Sequence, residues 1–251
     1  MLVMGILNVT PDSFADGGKH NDFESAVARG LEMIAEGVDI IDIGGESTRP
    51  GADRVSEEEE IARTIPVIKE LAKHGAKISI DTMRASTAKA AITAGASIIN
   101  DVSGGLADAS MLQTAAELKV PYIAMHWRGQ SKDMNSKAIY RDVVSDVISE
   151  LQERISVALD AGITAEHLII DPGLGFAKDA DHNWAIIDAI DQFVALGYPV
   201  LVGASRKRFL GGDTPDEREQ ATIDLTKRLA PTGVWAVRVH SVKPHKEVLS
   251  V

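Results

Sequence analysis

The chain has 251 residues, 45% of them hydrophobic and 25% charged, with a formal net charge of -11 and no cysteine. That composition belongs to an ordinary globular domain. It excludes disulfides, thiolate catalysis and cysteine-held metal or iron–sulfur centres, and its acidity argues against general nucleic-acid binding. No apolar run reaches the roughly 20 residues of a membrane-spanning helix. MLVMGILNVT has neither the basic start nor the cleavage site of a signal peptide, so a cytoplasmic protein is expected.

Short apolar runs alternate with helical patterns along the whole chain. The first run, Leu2–Leu7, leads to Asn8 and TPDSFADGG. Phe23, Val27, Leu31 and Ile34 then predict a helix that Gly37 ends. The second run, Val38–Ile43, leads into GGESTRPG. Ser56 with Glu59 three residues on predicts a capping box. Behind it Ile61, Ile65, Ile68 and Leu71 form one helical face, Gly75 stops it, and Pro66 predicts a kink. The third run, Lys77–Ile80, ends in Asp81 and Thr82, with Arg84 just beyond. The fourth, Ser97–Asn100, ends in Asn100 and Asp101, and the fifth, Val120–Met125, in Met125 and His126. Tyr140–Ala161 is the longest helical pattern, ended by Gly162. The sixth run, His167–Asp171, opens DPGLGF. The seventh, Tyr198–Gly203, opens Ser205-Arg206-Lys207-Arg208-Phe209. A helix over Glu217–Leu229 follows, then the eighth run, Val234–Val239, with Arg238 inside it and His240 after it. Pro244–Leu249 reads as a short last helix.

Most of these runs are continuously apolar, as in parallel strands covered on both faces. Eight strand–helix alternations without a linker or repeat predict an α/β fold, a (β/α)8 TIM barrel, as one domain over residues 1–251. A doubly wound sheet usually has fewer strands. In a barrel the C-terminal ends of the strands carry the chemistry, and here every strand delivers polar groups to that end. Asp81, Asn100 and Asp171 suit a ligand rich in N–H donors. Arg238 and His240, two apart on a strand, share a face, and a guanidinium fork suits phosphate oxygens; an ion pair with a nearby carboxylate is the other common fate of such an arginine. If the seventh strand continues through them, Ser205 and Lys207 also share a face, whereas Arg206 falls on the other or reaches a partner at the rim. No glycine stretch has Rossmann or P-loop spacing. The dispersed histidines argue against a permanent zinc site, while Asn8, Asp12 and Asp16 offer oxygens to a Mg2+ held mainly by substrate phosphates.

MGILNVTPDSFADGG (4–18), DIGGESTRPGA (42–52), ISIDTMRA (78–85), INDVSGG (99–105), DPGLGF (171–176), VGASRKRFLG (202–211) and VRVH (237–240) resemble, in this order, the dihydropteroate synthases. The resemblance spans nearly the whole chain. It implies a dimeric TIM barrel, the sulfonamide target of folate biosynthesis. Such enzymes condense 6-hydroxymethyl-7,8-dihydropterin pyrophosphate with p-aminobenzoate and release pyrophosphate. Carried over motif by motif, Asp81, Asn100, Met125, Asp171 and Lys207 would bind the pterin. Thr48, Arg49, Arg238 and His240 would hold pyrophosphate, and Asn8 would meet Mg2+. Phe14, Pro50, Phe176 and Ser205, with Lys207, would shape the aminobenzoate pocket. Asp81, Lys207 and Arg49 would be catalytic. Phe14 and Asp16 fall in a first mobile loop and Ser47 to Gly51 in a second. Departures are Ser241 where the family usually has aspartate, the sequence EREQATIDLTKRLAP in the penultimate helix, a start directly at the first strand, and a short last helix. A pterin-binding corrinoid methyltransferase domain would share Asp81, Asn100 and Asp171 but has no need of STRPG, SRKRF and RVH. A non-catalytic paralogue would be expected to lose them.

Overall fold

The computed structural model describes residues 1–10, 19–46, 54–129 and 134–250. Eight strands form one sheet: β1 Leu2–Asn8, β2 Ile40–Gly44, β3 Ile78–Asp81, β4 Ile98–Asp101, β5 Tyr122–Met125, β6 Leu168–Asp171, β7 Leu201–Val202 and β8 Ala236–Val239. Each pairs with its neighbours in parallel, in the order β6-β5-β4-β3-β2-β1-β8-β7. A single parallel bridge, Ile170 to Val200, joins β6 to the start of β7. There Ile170 N–H donates to the Pro199 carbonyl at 2.9 Å. The result is a nearly closed (β/α)8 barrel, thinnest at this seam, where Pro199 has no N–H to contribute.

The helices between the strands are α1 Lys19–Ala35, α2 Glu57–Ala72, α3 Ala85–Ala94, α4 Met111–Leu118, α5 Val143–Asp160, α6 Ala180–Asp188, α7 Ile190–Val194, α8 Glu217–Leu229 and α9 Lys243–Leu249. Among the described residues no helix is long and apolar enough to cross a membrane. The outward faces of the strands (Ile41, Ile43, Ile78, Ile80, Ile99) pack against helix residues such as Met33, Val67, Ile68, Leu71 and Ala88. Burying each aliphatic side chain of this size stabilises the fold by about 1.5–3 kcal/mol.

Inside the barrel, Met4, Ile40, Ile98, Ile123, Ile169, Leu201 and Ala236 form a separate apolar cluster. Strand side chains alternate, so the residue two positions on from each also faces inward, one layer nearer the mouth. Those residues include Asp42, Asn100, Met125, Asp171 and Arg238. The apolar layer is thus a floor on which a polar layer stands.

Two local expectations are revised. Ser56 Oγ accepts from Glu59 N–H at 3.2 Å, but the reciprocal half of the capping box is not made. The Glu59 carboxylate is instead bound by Arg63, one turn on. Helix α5 starts at Val143 rather than Tyr140, because Asp142 caps it by accepting from Ser145 N–H at 2.8 Å. Pro66 lies inside α2, which runs on through it to Ala72.

Asp101 closes β4 with a fully used carboxylate. It accepts from Ser103 N–H at 2.8 Å, Ser103 Oγ at 2.7 Å, Gly105 N–H at 2.8 Å and Tyr122 OH at 2.8 Å. Tyr122→Phe removes one donor from a buried anion. It should lower unfolding free energy by about 1.5–3 kcal/mol in urea, with an unchanged m-value.

Candidate active site

The polar layer is organised around Arg238. Its Nε donates to Asp42 Oδ2 at 2.6 Å and its Nη2 to Asp81 Oδ2 at 2.7 Å. Asp42 Oδ2 also receives Asn100 Nδ2 at 3.0 Å. Residues from β2, β3, β4 and β8 thereby meet above the floor. Burial pushes the Asp81 carboxyl up to about 7; Arg238 pulls against that rise, and nearby Asp42 adds to it. Burial raises Asp171 too, against the pull of Gly173 N–H, which donates to its Oδ1 at 2.7 Å, and of Lys207.

The remaining acceptor atoms define what the mouth can bind. Among the described residues, Asp81 Oδ1, Asn100 Oδ1 and Asp171 Oδ2 take no hydrogen-bond partner. Beside them Met125 packs with Met83 and Val102, and Trp127 and Phe176 border the same cluster. Acceptors next to a flat apolar wall suit a planar ring whose edge carries N–H donors. Leaving such acceptors buried and unpaired is costly.

Lys207 follows β7. Its Nζ donates to the Leu174 carbonyl and lies 4.7 Å from the centre of the Phe176 ring. Burial pulls the Lys207 ammonium down to about 8, while Asp171 opposes the shift. The chain from Asp171 to Phe176 must pass very close to its neighbours. A Cβ at Gly173 would lie 2.4 Å from the His126 carbonyl oxygen, and one at Gly175 2.8 Å from Lys207 Cδ; both glycines have left-handed backbone, at φ 68° and 75°. Only glycine fits there without strain.

This loop is held from below by Lys178. Its Nζ donates to His126 Nδ1 at 2.9 Å, to the Gly173 carbonyl at 3.0 Å and to the Phe176 carbonyl at 3.0 Å. Since Lys178 donates to Nδ1, the other ring nitrogen of His126 carries the proton and donates to Glu150 Oε2 at 2.9 Å. Arg128 Nε reaches the same oxygen at 3.0 Å. Burial lowers Lys178 to about 7 and His126 to about 4. Burial acts to raise Glu150, but the bonds from His126 and Arg128 outweigh it and hold the carboxyl at about 2.

Ser205 and His240 form a pair. Ser205 Oγ lies 2.9 Å from His240 Nδ1 and accepts from His240 N–H at 3.2 Å. Strand parity does not apply here, because β7 ends at Val202, and Arg206 instead turns away on a left-handed backbone, φ 58°. Its Nε donates to Glu219 Oε2 at 2.6 Å and its Nη2 to Ser241 Oγ at 2.8 Å. Ser241, at the position where the family usually has aspartate, thus accepts a bond from the arginine.

The expected residues fall into three groups. Asp81, Asn100, Met125, Asp171, Phe176, Lys207 and Arg238 are brought together at the mouth. Ser205 and His240 stand beside them with the serine hydroxyl engaged by the histidine, and Asn8 stands half-buried at the end of β1. Phe14, Asp16, Ser47, Thr48, Arg49, Pro50 and Gly51 lie outside the described residues. The flanks of the second of these segments are tied together, since Arg54 Nε donates to Glu46 Oε1 at 2.9 Å. Arg84 Nη1 also reaches Glu46 Oε2, at 2.8 Å. Asp42 and Lys178 were not anticipated as site residues. An acid in the middle of an apolar run at the parity of Ile40 was the available signal for Asp42; for Lys178 there was only its place after Phe176.

A parallel barrel with buried acceptors, a flanking lysine and an apolar wall at its mouth belongs to the class of α/β barrels with a binding mouth suited to a donor-edged planar ring. Residues 4–240 match the pterin binding enzyme family. The dihydropteroate synthase of Mycobacterium leprae is 49% identical, over 99% of this chain and 91% of that protein. The structure of Xanthomonas albilineans dihydropteroate synthase with 4-aminobenzoic acid superposes with a TM-score of 0.93 at 43% identity, covering 99% of this chain and 90% of that one. The same enzyme in complex with 7,8-dihydropteroate superposes with a TM-score of 0.90 at 40% identity, over 99% and 91%. The chain belongs to the pterin binding enzymes and, within them, to the dihydropteroate synthase family.

His126 generates a stability prediction. Its pKa is lowered from 6.5 to about 4, so the unfolded chain takes up the proton first as pH falls. Unfolding free energy should therefore drop by up to about 3 kcal/mol between pH 6.5 and 4. Urea titrations across that range should show a shallower slope for His126→Gln than for the wild type.

Proposed function

We propose that the chain joins p-aminobenzoate to the methylene carbon of 6-hydroxymethyl-7,8-dihydropterin pyrophosphate, releasing pyrophosphate and forming dihydropteroate. The observation that carries this reading is the set of open acceptors, Asp81 Oδ1, Asn100 Oδ1 and Asp171 Oδ2, beside Met125 and Lys207. An aminopyrimidine edge offers the matching donors. The relatives' complexes with 4-aminobenzoic acid and 7,8-dihydropteroate support the same substrates here.

In this reading the bond from the methylene carbon to the pyrophosphate oxygen breaks first, and pyrophosphate leaves with the electron pair. The cation left on the pterin is stabilised by the buried carboxylate of Asp81. The aniline nitrogen then attacks, forms the C–N bond and releases its proton to water. Stabilising charge as it develops is where such a site lowers its barrier. Arg49, Thr48 and His240 would hold the leaving group with the Nη1 arm of Arg238, whose Nε and Nη2 already donate to Asp42 and Asp81. Lys207, next to Phe176, would lie between the two substrates, and Phe14, Pro50 and Ser205 would complete the aminobenzoate side.

Among the described residues no three acidic or histidine groups are placed to hold a metal by themselves. A single amide oxygen at Asn8 fits Mg2+ that the pyrophosphate itself largely ligates. When bound, that ion would neutralise charge on the leaving group. The family resemblance also supports a homodimer.

The direct test is turnover of the pterin pyrophosphate with labelled p-aminobenzoate, with and without Mg2+. Labelled dihydropteroate should form and should stop in excess chelator. No product under any condition sinks the reading, and full turnover in chelator sinks the role of Asn8.

Lys207 is cationic below its pKa of about 8 and loses its charge above it. KM for both substrates should therefore rise as pH passes 8, whereas Lys207→Arg should flatten that rise. Lys207→Ala should raise both KM values at pH 7 by about tenfold or more. Unchanged steady-state constants would remove Lys207 from the site.

A further inference from the structure

We propose that Asp42 sets which end of the Asn100 amide faces the substrate, and so selects for a ring that donates a hydrogen at that point. The inference rests on the pterin-binding reading above and concerns a residue that touches no substrate atom in it. Asp42 is fully buried inside β2, below the mouth. Its Oδ2 receives two donors, Arg238 Nε at 2.6 Å and Asn100 Nδ2 at 3.0 Å. With the Arg238 guanidinium donating to it, this oxygen is an acceptor, and it meets the NH2 end of the Asn100 amide. An asparagine side chain is a donor at one end and an acceptor at the other. Once the NH2 end is committed downward, Oδ1 is the end presented to the mouth.

The arrangement has a cost that packing alone does not require. Among the described residues Asp42 Oδ1 is buried without a partner, and so is Ser79 Oγ, which sits on the residue paired with Asp42 across β2 and β3. A neutral residue at 42 would leave less buried charge unsatisfied. An asparagine there could equally donate or accept, and the Asn100 amide would then be able to turn over. The carboxylate removes that freedom. It converts Asn100 from an ambivalent group into a fixed acceptor, matching the acceptors on Asp81 and Asp171. Asp42 is thus a positioning residue for specificity, acting through Asn100.

The test is calorimetric binding of two ligand pairs, in each of which one ring donor becomes an acceptor. The first pair is 6-hydroxymethylpterin and its 2-oxo analogue. The second is the 7,8-dihydro ring, with N–H at position 8, and the oxidised ring, with bare nitrogen there. The wild type should prefer the donor member of at least one pair by about tenfold or more, as sites built on buried hydrogen bonds do. In Asp42→Asn that preference should shrink at least about fivefold. In the Asn100→Ala background, Asp42→Asn should no longer change it, because the amide it acts through is gone. If Asp42→Asn weakens every ligand by one common factor, Asp42 serves only Arg238 and the proposal is overturned.

Wild-type protein that binds none of these rings would overturn the pterin reading itself, and this proposal with it, before any variant is needed. Should Asp42→Asn fail to fold, the wild type supplies the decision. The Asn100 side-chain NH2 protons, identified by their loss in Asn100→Ala, should exchange slowly with solvent both with and without ligand. Exchange at the rate of an exposed amide would overturn the proposal.

Discussion

Arg238 places one guanidinium between two buried carboxylates, Asp42 and Asp81, inside the barrel, and the rest of the mouth is arranged around that contact. Two buried carboxylates from neighbouring strands repel each other, and each is expensive to remove from water. The arginine offsets both terms at once. It reaches them from β8, with β1 lying between β8 and β2 in the sheet. The ion cluster therefore reports that the barrel is correctly rolled. Breaking one partner of such a cluster typically costs about 3–5 kcal/mol, because a charge is left behind without compensation.

A second structure, independent of the first, fixes the opposite wall. The chain from Asp171 to Lys178 folds back over the end of β5, with Gly173 and Gly175 in conformations that let it approach His126 and Lys207. Lys178 then ties two of its carbonyls to His126. Phe176 lies on this loop and Asp171 ends β6 where the loop begins, so the apolar wall is anchored beside one of the acceptors. Lys207 is confined between the Leu174 carbonyl and the Phe176 ring. The pattern is a mouth built on strand ends and one pinned loop, with its acceptors already in place for a ligand.

Much of this could be read from local sequence. Parallel strands buried on both faces announce themselves as apolar runs, and eight of them with intervening helices leave little choice of fold. The strand-end residues Asp81, Asn100, Met125, Asp171 and Lys207 were also within reach, because polar groups at the ends of such strands collect at one face. Asp42 was less legible. Within VDIIDI it looks like a flaw in a core strand, and only its parity with Ile40 hints that it faces inward. The two ways of reading Arg238, anion ligand or ion-pair partner, could not be separated along the chain either, since its carboxylates lie 157 and 196 residues away.

The amino-acid order by itself determined the elements: the strands, the helices and the turns that need glycine. Those are short-range matters of backbone sterics and of which faces are apolar. What only the tertiary structure decided is which polar atoms are already spent. Arg206 is committed to Glu219 and Ser241, Ser205 to His240, and two arms of Arg238 to Asp42 and Asp81. What remains open is the set of acceptors that faces the mouth. A side chain's chemistry is set by its identity, but its availability depends on partners brought together by closing the barrel, and no local pattern encodes that.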